Sequence, residues 1–142
     1  MNACLLIGMV VLMKDRHILL AQSVIDGVLD CGKACYPKEG IVLLRGKIAA
    51  NRIFISEIEI PPLAVHGFSL SSFPLHMLPT DLSVVGIAHT HPSGVLQPST
   101  TDLNHFYGRL MIIAAYPFKS SKNLAVFDSE GNMVEYETSE DD

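Results

Sequence analysis

Three cysteines, ten basic residues and no apolar run long enough to cross a bilayer set the first limits on this 142-residue chain. Cys4, Cys31 and Cys35 are odd in number and lack framework spacing, which excludes a disulfide-stapled scaffold and fits a reducing compartment. Lys and Arg number 10 against 15 Asp and Glu, for a net charge of −5. That balance argues against a surface held to nucleic acid by phosphate contacts, so no nucleic-acid partner is expected. The run from Ala3 to Met13 is almost wholly apolar, but it is too short to span a membrane and has no basic residue ahead of it. It reads as a buried first strand; with no membrane partner and no convincing targeting signal, a cytoplasmic location is expected.

Repeats and low-complexity linkers are also absent. Hydrophobic residues make up 49%, charged residues only 18%, and the mean hydropathy is +0.32, so most of the chain must fold. The length suits one domain with a real core. Acids gather at the end, at Glu135, Glu137, Glu140, Asp141 and Asp142. A domain over 1–137 followed by a solvated, frayed tail over 138–142 is the expected organisation.

Along the chain, the apolar positions Ile18, Ala21, Ile25, Val28 and Leu29 are close to a helical period. They predict an amphipathic helix over 17–35 that stops near Tyr36-Pro37, because the residue before a proline avoids helical angles. Strands are predicted over Ile41–Leu44 and Ile53–Ile60, joined by a turn over Gly46–Asn51 and ended by Pro61-Pro62. Another is predicted to start over Val65–Leu70, and a β-branched strand over Val84–His89. Ser99 or Thr100 is a reasonable N-cap for a helix over Thr101–Arg109. Met111–Tyr116 reads as a buried strand, and Leu124–Phe127 with Met133–Tyr136 as a hairpin. The sum is a mixed α/β or α+β domain around a central sheet; periodicity alone does not choose.

The chemistry concentrates in His89-Thr90-His91-Pro92 and Ser99-Thr100-Thr101-Asp102. Two imidazoles with one residue between them point the same way from an extended backbone, and Asp102 can close a third corner around a metal. Three protein ligands with an open position suit catalytic Zn²⁺, which can lower the pKa of a coordinated water to about 7. Hydrolysis also needs a proton carrier, and Glu39, isolated before an apolar strand, is either that group or an ordinary loop acid. Ser99 could cap its helix and also donate to a developing oxyanion. Cys31 and Cys35 are spaced to share a helix face, but no second pair completes a metal site, so they read as small buried residues. His17, His66, His76 and His105 lack ligand spacing, although His105 stands one turn beyond Asp102. Arg45 reads as half of a surface ion pair.

The pattern His-x-His-Pro, six residues, Ser-x-x-Asp, with Glu39 upstream, resembles the JAMM (MPN+) metalloprotease family in the compact form of its prokaryotic members. Pro37-Lys38-Glu39-Gly40, Leu43-Leu44-Arg45-Gly46, Leu78-Pro79 and Tyr116-Pro117 extend the resemblance over about Ile18 to Tyr136. It implies a curved mixed sheet flanked by helices, zinc on His89, His91 and Asp102, Glu39 as general base and then acid, and Ser99 as oxyanion donor. It further implies cleavage of the amide bond after the C-terminal glycine of ubiquitin or a ubiquitin-like protein, and it admits association with the proteasome. Two alternatives stay open: a peptidase that processes small sulfur-carrier proteins, and a module resembling the bacterial RadC-like domain linked to DNA repair. The chain departs from its larger relatives in having no long insertion near the motif.

Overall fold

The computed structural model describes residues 17–61 and 83–140. The predicted strands at Ala3–Met13 and Val65–Leu70, together with Cys4, His66, His76 and Leu78-Pro79, lie outside the described residues.

The chain enters on strand β1, His17–Ala21, and turns directly into helix α1, Gln22–Cys35. The predicted helix over 17–35 is therefore corrected in its first five residues. Ile18 and Leu20 are buried while His17 is exposed and Leu19 half-buried, a period of two that four consecutive apolar residues disguise in the sequence. No side chain caps the helix start at Ala21, so the boundary carries no start signal. Its end is legible: Tyr36, held out of the helix by Pro37, leaves with ψ 133°.

β2 (Ile41–Ile48) and β3 (Arg52–Glu59) form an antiparallel pair, so Gly46 lies inside a strand and not in the predicted turn. The register shifts between Arg45 and Gly46, where a Cβ would sit 1.8 Å from the Phe54 carbonyl oxygen. Only glycine fits that bulge.

β4 (Val84–His91) is buried along its whole length, antiparallel to β2 and parallel to β5 (Leu110–Ala115). Between them stands α2, Thr100–Asn104, shorter than the predicted helix over Thr101–Arg109. It ends at the His105 cap, and the predicted extension to Arg109 is barred by Gly108, at φ +77° against the Val85 carbonyl, and by Arg109 N, which donates to Val85 O at 2.7 Å. A 3₁₀ turn at Ser121–Asn123 precedes β6 (Leu124–Phe127), which pairs with the short β7 (Met133–Val134) as the predicted hairpin. Asp128 Oδ1 closes the loop by accepting from the amides of Glu130 and Asn132.

The last described element corrects the expected tail. β8, Glu137–Ser139, adds a parallel strand to β1 through Leu19–Glu137, Leu20–Thr138 and Ala21–Ser139, so ordered chain passes the expected boundary at residue 137. Edge pairing satisfies backbone groups whatever the charge of the side chains.

Among the described residues the sheet has eight strands in the order β7-β6-β5-β4-β2-β3-β1-β8. The mixed α+β class is as the sequence implied. One face receives α1: Val24, Ile25, Val28 and Leu29 pack with Val42, Leu44, Val85, Ala88, Ile112 and Ala114 in the main core. A fully buried aliphatic side chain contributes about 1.5–3 kcal/mol, and this cluster supplies most of the hold on the helix. Gly32 lets α1 approach Phe118, whose ring would lie 2.4 Å from an added Cβ. The other face carries two smaller clusters, one around Ile41, Leu43, Val84 and Ile87, the other around Met111, Ile113, Ala125 and Phe127. Strand alternation then sorts the end of β4. Thr90 shares a face with Ala88 and the helix, while His89 and His91 follow Ile87 onto the opposite face.

Candidate metal centre

The two histidines differ in what they lack. His89 is 1% exposed, and neither ring nitrogen has a hydrogen-bond partner among the described residues. Burial pushes its pKa down to about 4, with Asp102 opposing and His91 and His105 reinforcing, so the ring is neutral near pH 7. A neutral imidazole sealed in the protein with its nitrogens unsatisfied is costly unless something binds it.

His91 is fully engaged. Its Nδ1 donates to Val95 O at 2.8 Å, which leaves Nε2 as the atom that meets Asp102 Oδ2 at 3.0 Å. Burial works against the charged ring, but the Asp102 hydrogen bond, the Val95 carbonyl and the charges of Asp102 and Glu39 outweigh it and raise the pKa. Asp102 answers in kind. Burial would raise its pKa, yet the bonds from His91 and Ser99 N and the nearby imidazole charges hold it low. His91 and Asp102 thus form a buried, hydrogen-bonded pair.

Asp102 is placed by its own helix. Ser99 Oγ accepts from Asp102 N at 3.0 Å, and Ser99 N donates to Asp102 Oδ2 at 2.8 Å, the reciprocal capping box at the start of α2. The carboxylate is thereby aimed at β4. Ser99, the expected cap, still has its own hydroxyl proton to donate, and it lines the cleft above the pair.

Glu39 reaches the same cleft from the other side. It is exposed, and its carboxylate, the His91 ring and the Asp102 carboxylate offer ligand atoms within 4.8 Å of one another. The segment is fixed one residue later: Gly40 N donates to Thr90 Oγ1 at 2.7 Å, and Thr90 N donates to Gly40 O at 3.0 Å. The cleft, about 770 Å³, is walled by Pro37, Lys38, Pro92, Val95, Gln97 and Pro98 around these groups.

Of the five residues singled out by sequence, the structure brings Glu39, His91 and Ser99 to the lining of this cleft, with the buried Asp102 bonded to His91, and His89 lies buried two residues before His91 on the same strand face. His89 is outside the Glu39, His91 and Asp102 grouping, although Asp102 acts on it electrostatically. His105 also touches the electrostatics of His89 while its Nδ1 bonds Thr101 O. Arg45 pairs with Glu59 and donates to Ser83, on the part of β2 away from Glu39. Thr90 and the Val95 carbonyl were missed. Thr90 carries a readable signal, its position between two histidines on the opposite strand face; a backbone carbonyl such as Val95 carries none.

The donor set fits a divalent metal on an observation of this structure: an orphaned neutral imidazole beside an imidazole and carboxylate whose tautomer and orientation are already fixed by Val95 O and Ser99 N. Among the described residues, no helix is long and apolar enough to cross a membrane.

Comparisons with known proteins agree with this geometry. Residues 21–128 match the family described as prokaryotic homologs of the JAB domain. A probable metalloprotease of Haloferax volcanii is 30% identical over 131 residues, covering 86% of this chain and 80% of that protein. Among solved structures, a JAB1/MPN domain protein from Archaeoglobus fulgidus superimposes with TM-score 0.64 at 26% identity, over 84% of this chain and 96% of that one. A second, described as a JAMM metalloprotease-like zinc site in the proteasome and signalosome, gives TM-score 0.64 at 24% identity over 87% and 98% of the two chains. The chain therefore belongs to the JAMM/MPN+ family and carries its metalloprotease-like domain.

Proposed function

We propose that this chain is a zinc-dependent isopeptidase that cleaves the amide bond after the C-terminal glycine of a ubiquitin-like protein. The observation that carries the reading is the pairing of a sealed, partnerless His89 with the preset His91 and Asp102, beside an exposed carboxylate in one cleft. His89, His91 and Asp102 would hold the ion. When bound, zinc supplies a Lewis acid and a water activated near neutral pH.

The remaining chemistry belongs to the chain. Glu39, exposed and tethered through Gly40, takes a proton from the attacking water and returns it to the leaving amine. Its exposure suits this work, because proton exchange needs a carboxylate that is not locked in an ion pair. Ser99 directs its hydroxyl proton toward the oxyanion while its oxygen accepts from Asp102 N. Asp102 and Val95 O keep His91 from rotating.

The open cleft favours an extended, glycine-containing tail over a bulky folded surface. Among the described residues β4 is paired on both sides, by β2 and β5, and the edges are β7 and β8. Strand addition at an edge, a common way to hold such a tail, therefore does not take place on the metal-bearing strand itself. We place the protein in the cytoplasm, a compartment that suits three cysteines with no structural disulfide framework.

The test is cleavage of fusions carrying a ubiquitin-like or a sulfur-carrier tail by the wild type and Glu39→Gln. The wild type is expected to cut the ubiquitin-like fusion, and the variant to lose hydrolysis while retaining zinc. Cleavage confined to the sulfur-carrier fusion would shift the substrate class; a fully active variant would remove Glu39 from its role.

A further inference from the structure

On the helix side of the sheet, α1 ends with two thiols in contact that the hydrolytic machinery does not use. Cys31 and Cys35 stand one turn apart, half-buried and free, with their Sγ atoms 3.9 Å apart. Both pack on the same glycine. A Cβ added at Gly40 would lie 2.9 Å from Cys35 Sγ, 3.0 Å from Cys31 Sγ and 3.1 Å from Thr90 Oγ1. Gly40 is bonded in both directions to Thr90, between the two histidines, and it follows Glu39 directly. The sulfurs thus pack against the glycine that follows Glu39.

We propose that Cys31 and Cys35 form a reversible oxidation site, which closes to a disulfide within α1 and displaces Gly40 and Glu39. One helical turn separates their Cα atoms by about 6 Å, inside the range of about 4.4–6.8 Å that a disulfide spans. Cys35 is the last residue of α1, so no following turn resists its adjustment. The sulfurs must approach to about 2.05 Å, and both move relative to the glycine they now flank.

A peroxide is the oxidant class that closes the balance. The Cys35 sulfur attacks one peroxide oxygen; the O–O bond breaks, the departing hydroxide leaves with the Cys35 thiol proton as water, and a sulfenic acid remains. The Cys31 sulfur then attacks the sulfenic sulfur; the S–S bond forms, the S–O bond breaks, and the hydroxyl departs with the Cys31 proton as water. Two thiols lose two protons and two electrons, and one hydrogen peroxide becomes two waters. Burial, with the neighbouring Cys35 sulfur, pushes the Cys31 thiol up to about 12, which agrees with Cys31 acting second.

The experiment is hydrogen peroxide treatment of the full chain, then alkylation after denaturation, mass measurement and amide NMR. The wild type is expected to fall from 3 alkylatable thiols to one as a monomer, and Cys31→Ser or Cys35→Ser to form no intramolecular bridge. The Gly40 and Thr90 amide signals are expected to shift on oxidation, return with dithiothreitol and stay unchanged in Cys35→Ser. Three surviving thiols in the wild type, a bridged Cys35→Ser monomer, or a bridge that leaves Gly40 and Thr90 unmoved would each overturn the proposal. None of these readouts depends on hydrolysis, so a failed peptidase assay would not be mistaken for a failure here.

Discussion

Replacing His89 by leucine should change stability in opposite directions with and without metal. His89 is 1% exposed, and neither ring nitrogen has a hydrogen-bond partner among the described residues. A buried polar group left unsatisfied costs about 1–3 kcal/mol, and an apolar replacement of similar size recovers that at a packing cost below about 1.5 kcal/mol. His89→Leu is therefore expected to be neutral or up to about 2 kcal/mol more stable than the wild type when both are stripped of metal. With zinc at about 1,000 times its dissociation constant, binding adds about 4 kcal/mol to the wild type, and the variant should forfeit that gain. Urea unfolding of both proteins, in chelator and in zinc, reads the two differences directly. A variant less stable than wild type in chelator by about 2 kcal/mol or more, the ordinary cost of damaging a core, would refute the claim that His89 is poised for a ligand.

Three further outcomes follow from the same contacts. In chelator, the stability difference between His89→Leu and wild type should grow as pH falls from about 6.5 toward 4, because His89 has its pKa lowered to about 4 and the unfolded chain takes up the proton first. Denaturant midpoints at pH 7 and pH 5 check this, and an unchanged difference would mean that His89 is not held neutral. Ser99→Ala removes the α2 cap and should cost about 1 kcal/mol in stability, with a separate fall of about 10²–10³ in hydrolysis if its hydroxyl serves the oxyanion. Comparing midpoints with single-turnover rates separates the two, since a cap alone leaves the rate of the folded fraction nearly untouched. Thr90→Val keeps shape but strands the buried Gly40 N–H, and a loss of about 1–3 kcal/mol is expected by thermal or urea unfolding.

The site was more legible in the sequence than the fold around it. His89, His91 and Asp102 could be read because strand alternation and a helix start are local rules, and Ser99 because capping chemistry is written in the residue type. Glu39 stayed ambiguous for a physical reason: its place depends on Gly40 meeting Thr90, fifty residues later, and nothing near Glu39 encodes that contact. The errors in secondary structure have the same origin. His17–Ala21 became a strand because β3 and β8 pair with it, which overrides a local pattern compatible with a helix. α2 does not reach the predicted Arg109, because Gly108 turns in the left-handed region against Val85. Glu137–Ser139 joined the sheet because a strand edge accepts backbone, not composition.

Equilibrium dialysis against zinc, followed by metal analysis, tests the central claim most directly. One zinc per chain is expected for the wild type and for Glu39→Gln, with tight binding lost in His89→Ala, His91→Ala and Asp102→Ala. A His89→Ala protein that keeps its zinc, with Glu39→Gln losing it, would place the ion on Glu39, His91 and Asp102 and contradict the account.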